Sequence, residues 1–282
     1  MNPNAWVLLT GYSVAIVCAA LLGVSVQNAI RLTHTRMQVA MSFVAGFILG
    51  VALYHLVPHS LAQISGPRSI EIAAWWMTIG IILMLLLLRV FPFHHHDFGD
   101  SEDHHHDHHH DHGTPTRSLN WLGVSVGMGM HTLAEGAALG ASVRSGLHHD
   151  PGTDLVSFGM FLAILFHKPL DSFSILGLMR IAGVGRRTAI AVNVGIVLLC
   201  PLAAFLTYWG IGFLGPAEGD AIGRALAFAA GAIVCVALSD LLPEVHFHGH
   251  DRLLLTVSFL AGIALAYALH YLERLPVFGL AG

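Results

Sequence analysis

Residues 44–59, "VAGFILGVALYHLVPH", and residues 229–244, "AAGAIVCVALSDLLPE", carry one pattern at two places in the chain. At a fixed offset, Ala45, Gly46, Ile48, Val51, Ala52, Leu53, Leu56 and Pro58 match Ala230, Gly231, Ile233, Val236, Ala237, Leu238, Leu241 and Pro243. Both copies sit in apolar windows, and a membrane-spanning helix needs about 20 such residues. Eight windows qualify: 5–27, 38–59, 70–91, 118–143, 154–180, 188–212, 221–244 and 252–272. The two copies fall in the second and seventh windows, an even and an odd crossing, so they traverse the bilayer in opposite directions. That is the sequence mark of an inverted repeat, a transporter architecture with its site near the midplane. The expected fold is an all-α polytopic membrane protein of eight transmembrane helices, spans 1–3 and 6–8 repeating around central spans 4 and 5.

Composition agrees. The chain is 55% hydrophobic and 11% charged with mean hydropathy +0.69, far from the roughly 25% charged residues of soluble domains. The net charge of -4 comes largely from one acidic, histidine-rich segment, and no basic surface exists for a nucleic acid to bind. Cys18, Cys200 and Cys235 lie in apolar segments without metal or disulfide spacing and read as buried packing residues. The opening "MNPNAWVLLTGYSVAIVCAALLGVSV" has no basic leader and reads as a first span rather than a cleaved signal. With an external N-terminus, Arg31, Arg36, Arg89, Arg117, Arg180, Arg186, Arg187 and Arg252 lie inside, and Arg68, Arg144, Arg224 and Arg274 outside. By the positive-inside rule both termini are extracytoplasmic. The chain then divides into spans 1–3 (1–93), a cytoplasmic disordered loop (94–117), spans 4–5 (118–182) and spans 6–8 (183–282).

Span 4 reads "GMHTLAEGAALG" (129–140) and span 5 "LFHKPLDSFS" (165–174). His131 with Glu135, and His167 with Asp171, are spaced i and i+4, so each pair shares one helix face. All four sit near the bilayer centre, where one ionisable residue costs about 2.5–3.5 kcal/mol. A divalent cation compensates both carboxylates at once. Mixed imidazole and carboxylate ligation suits Zn, Fe, Mn or Co better than Mg, Ca or Cu(I). Pro169 frees the carbonyl of Leu165 and weakens span 5 beside the ligands. Gly127, Gly129, Gly136 and Gly140 allow close helix approach along span 4.

Together "HTLAEG" and "HKPLDS" resemble the paired signatures of the ZIP family of divalent metal transporters, as do the eight spans, external termini and histidine-rich loop. Many members carry a binuclear site, with Asn or Asp after each histidine. Here Thr132 follows His131 and Lys168 follows His167, which resembles the branch with a serine-like residue and a lysine there, so the expectation is a single metal with the Lys168 ammonium in the second position. The resemblance also implies that spans 1, 4, 5 and 6 move against 2, 3, 7 and 8, and that the protein forms a homodimer.

The segment "HHHDFGDSEDHHHDHHHDHG" (94–113) cannot build a core and reads as a weak, multi-site metal collector on the inner face. His55 and His59 mark a candidate entrance. Asp240, Glu244, His246, His248 and His250 mark a candidate exit, although the last three fit a solvated loop equally. Asn193 lines the site or bonds a neighbouring helix. The expected function is secondary import of zinc, with iron, manganese and cadmium as further candidates, across a plasma membrane or bacterial inner membrane. The expected partners are the lipid bilayer and a second copy of the chain, and the metal is substrate rather than cofactor. No GxxxxGK[ST] loop supplies ATP binding. Uptake should rise from pH 5 to 7, because protonated imidazoles cannot ligate. The alternatives are a cation-diffusion-type exporter, opposed by eight spans and the repeat, and an intramembrane metalloprotease, opposed by the lack of HExxH.

Overall fold

The computed structural model describes residues 3–29, 34–90, 117–146, 155–238 and 252–273. They form α1 (Pro3–Ala29), α2 (His34–Val51), α3 (Val57–Gln63), α4 (Ser69–Val90), α5 (Arg117–Ser145), α6 (Leu155–Ile181), α7 (Arg186–Gly212), α8 (Glu218–Val236) and α9 (Arg252–Glu273). A π-helical turn, Ala52–Leu56, joins α2 to α3 in one rod, so the eight expected spans are present as helices and no strand occurs among the described residues. Seven are long and apolar enough to cross a membrane. The remaining helix is α5, which interleaves His131, Glu135 and several glycines with its apolar residues.

Helix pairing obeys the repeat. α2 packs along α9 and α4 along α8, which are the same pairing under exchange of spans 1–3 for 6–8. In the other group α5 runs along α7, and α1 along α6. Glycines set both repeat contacts: a Cβ on Gly46 would strike the backbone of Phe259, and one on Gly231 that of Met77. Their reciprocals, Gly262 against Phe43 and Gly80 against Phe228, follow the same symmetry. Because apolar burial does not drive helices together in lipid, this backbone approach supplies the packing instead. The π turn obeys it too: Ala52 begins one, and its repeat mate Ala237 begins another that runs into Leu238. Between α6 and α7 the chain reverses within Ala182–Gly185. Gly183, at φ +74, takes the left-handed position while Val184 N–H bonds back to Met179 O, a Schellman closure.

Cys200 and Cys235 are buried as expected, but Cys18 is exposed. α1 presents Ala5, Leu9, Ser13, Ile16 and Ala20 inward and turns Val7, Val14 and Cys18 to the flank. One helix at the edge of a bundle has one buried face, and an apolar residue on the other meets lipid.

Candidate metal centre

α5 and α6 bring the two i, i+4 pairs together. One ligand atom from each of His131, Glu135, His167 and Asp171 lies within 4.8 Å of the others. Glu135 is the hub. His131 Nε2 stands 2.8 Å from Glu135 Oε1, and His167 Nε2 contacts the same oxygen. His167 Nδ1 donates to Ala163 O at 2.6 Å, since a carbonyl only accepts, so its Nε2 lone pair is free to face the cluster. Such anchoring fixes tautomer and ring orientation in metal-ligating histidines. Both Nε2 atoms lie within hydrogen-bond reach of Glu135 Oε1, and a divalent cation among the four donors would take the place of the proton that such a contact shares.

Lys168 completes the electrostatics. Its side chain is 1% exposed, and its ammonium donates to Glu135 Oε2 at 2.5 Å, Thr132 Oγ1 at 2.8 Å and Asp171 Oδ2 at 3.2 Å. Both positions at which the chain departs from a binuclear pattern are therefore joined by one hydrogen bond. The Lys168 bonds use Glu135 Oε2 and Asp171 Oδ2, while Glu135 Oε1 meets the two imidazoles. Asp171 is the most open of the four, its side chain 18% exposed against 3% for Glu135.

Other sequence candidates separate from this centre. Asn193 is buried in α7 among Ala189, Ile196 and Val197, and its Oδ1 has no hydrogen-bond partner among the described residues. His55 and His59 lie on the π turn and α3, where His55 bonds Ala266 O at 3.1 Å and His59 bonds His55 O at 2.7 Å. Asp240, Glu244, His246, His248, His250 and residues 94–116 of the loop fall outside the described residues. Sequence reasoning missed the ties between the ends of the helices: Arg144 to Glu218 at 2.5 Å, Gln63 to Ser145 at 3.1 Å and Ser65 N–H to Asp220 at 2.9 Å. Only a charge opening α8 hinted at them.

Fold and cluster define a polytopic membrane protein whose two central helices converge imidazoles and carboxylates on one point. The ZIP Zinc transporter family profile matches residues 92–270, more than half of the chain, which therefore belongs to the ZIP family. Among similar proteins, Zinc transporter ZIP9-B of Xenopus laevis is 27% identical over 179 residues, covering 62% of this chain and 54% of its own length. Zinc transporter ZIP9 of Macaca fascicularis is 30% identical over 130 residues, 45% of this chain and 53% of its own. The chain spans about half the length of the curated relatives it matches.

Proposed function

We propose that this chain is a secondary transporter, not an enzyme, that moves one zinc ion at a time into the cytoplasm, held midway by His131, Glu135, His167 and Asp171. Iron, manganese and cadmium fit the same donors. The observation that carries the reading is the convergence of two nitrogens and two carboxylates from two helices within 4.8 Å. Family membership and relatives named as zinc transporters support zinc as the substrate. Lys168 takes the space of a second cation and neutralises the carboxylates between cargoes.

Transport proceeds by alternating access, with α1, α5, α6 and α7 as a carrier and α2–α3, α4, α8 and α9 as a frame in a homodimer. Packing within each group supports this division. Where the groups meet, a groove of about 590 Å³ has alanines of α5 and α8 along it and Trp76, Leu214, Arg224 and Phe228 among its other lining residues. Both termini lie outside the cytoplasm. In that orientation Arg144–Glu218 and Gln63–Ser145 clasp the outer ends, which supports an inward-facing form, with Asp240, Glu244, His246 and His248 along the exit and the histidine loop collecting emerging metal.

The test is radiolabelled zinc flux into proteoliposomes. Inward flux in the wild type, lost in His131→Ala and Asp171→Ala, bears the reading out. Efflux from preloaded vesicles with no uptake favours an exporter, and equal flux in the variants refutes the site.

A further inference from the structure

The groove where α5 meets α4 and α8 is apolar apart from one pair of charges, Arg224 and Asp220. Arg224 lies well inside Gly215–Val236, a segment long and apolar enough to cross a membrane, and its side chain is 44% exposed. In a membrane-spanning segment an exposed arginine is costly unless its head reaches a polar partner. Asp220 does not supply a full one. Its Oδ2 stands 3.6 Å from the guanidinium, beyond hydrogen-bond reach, while its Oδ1 accepts from Ser65 N–H at 2.9 Å. Among the described residues the groove therefore holds a planar fork of donors beside a carboxylate oxygen, each with capacity left over.

The cavity has the depth of one leaflet. It follows α8 from Ala217, at the helix N-terminus, to Phe228, about 16 Å at 1.5 Å per residue. A bilayer's hydrocarbon core is about 30 Å thick, so half of it, the reach of a single acyl chain, matches this length. Trp76 of α4 and the alanines of α5 and α8 make the walls apolar and small. The far end closes where a Cβ on Gly80 of α4 would strike the backbone of Phe228.

We infer that this groove binds one zwitterionic phospholipid of the ethanolamine class, with its phosphate on Arg224, its ammonium on Asp220 and one acyl chain along the alanines. Guanidinium and phosphate make a charge-assisted, bidentate match. The primary ammonium donates to Asp220 Oδ2, the oxygen that Ser65 leaves unused. A choline headgroup has no N–H to donate. An anionic glycerol headgroup brings a negative charge beside Asp220 with no cation of its own, so the two opposite charges together select the ethanolamine lipid. Bound there, the lipid fills the seam between α5 and the helices α4 and α8. Its retention depends on neither the metal donors nor the direction of transport, so the two readings stand or fall separately.

Lipid retention is the test. The full chain, purified in detergent, is equilibrated with equal amounts of phosphatidylethanolamine, phosphatidylcholine and phosphatidylglycerol, and the bound lipid is read by native mass spectrometry. The wild type should keep one phosphatidylethanolamine in preference to the other two. Arg224→Gln should lower that retention about three- to fivefold, the scale of a half-exposed charge pair. Asp220→Asn keeps an acceptor for Ser65 N–H and should abolish the choice of ethanolamine over choline while phospholipid stays bound. Ala137→Phe fills the groove from α5 without altering either charge and should displace the lipid, which keeps the test decisive if a charge variant fails to fold. His131→Ala should retain lipid as the wild type does. Equal retention of the three lipids, a preference for phosphatidylglycerol, or unchanged retention in folded Arg224→Gln or Ala137→Phe overturns the site.

Discussion

Glu135 joins both imidazoles and the ammonium of the centre. One oxygen meets both imidazoles and the other the Lys168 ammonium. Removing it leaves a buried cation with Asp171 alone, and breaking one side of a buried pair costs about 3–5 kcal/mol. Glu135→Ala should therefore lower stability by about that amount in thermal unfolding and abolish zinc flux. Adding Lys168→Met should restore most of the stability and none of the flux, because the cation is gone but so is a ligand. Loss of stability that persists in the double variant would mean that Glu135 supports packing rather than charge. The sequence disclosed the four donors because i, i+4 spacing fixes a shared face before any tertiary structure exists. It could not disclose that Glu135 is shared or that Lys168 turns inward, since which side chain bridges two helices depends on their relative depth and rotation.

Among elements, α5 shows how function alters a span. It is less apolar than its neighbours and is held by backbone approach instead: Gly136 and Gly140 lie directly on Cys200 and Ala204 of α7. The frame uses the same device twice, and this gives a paired prediction. Gly46→Ala and Gly231→Ala each push a methyl into a neighbouring backbone and should each cost about 1–3 kcal/mol, by similar amounts because the repeat makes them equivalent. Gly195→Ala, with nothing within 4 Å, should instead stabilise by up to about 1 kcal/mol through helix propensity. Melting temperatures of the three purified variants check the set, and unequal effects at Gly46 and Gly231 would break the equivalence. The repeat was legible because the same contact demands the same small residue. The partners Phe259 and Met77 were not, since a backbone contact leaves no constraint on side-chain type.

For the whole molecule, eight spans were readable from apolar length, whereas the division into two groups follows from pairing, which hydropathy does not encode. If the groups slide, the ties across them must open in every cycle. Gln63→Cys with Ser145→Cys, bridged by a short bifunctional thiol reagent in a background lacking the native cysteines, should stop zinc uptake, and cleavage of the bridge should restore it. Unimpeded uptake in the bridged protein would exclude relative motion at this end. Glu218→Gln, which weakens the Arg144 tie, should increase labelling of a cysteine placed at Gly159 by an impermeant thiol reagent.

The central claim is that two helices hold a single dication between them. Zinc-edge anomalous diffraction from zinc-soaked wild-type crystals tests it most directly. The account predicts one intramembrane peak on α5 and α6, with a nitrogen of His131 and of His167 and an oxygen of Glu135 and of Asp171 each about 2.0–2.2 Å away. Two peaks bridged by Glu135, with Lys168 displaced, or no peak between these helices, would contradict it.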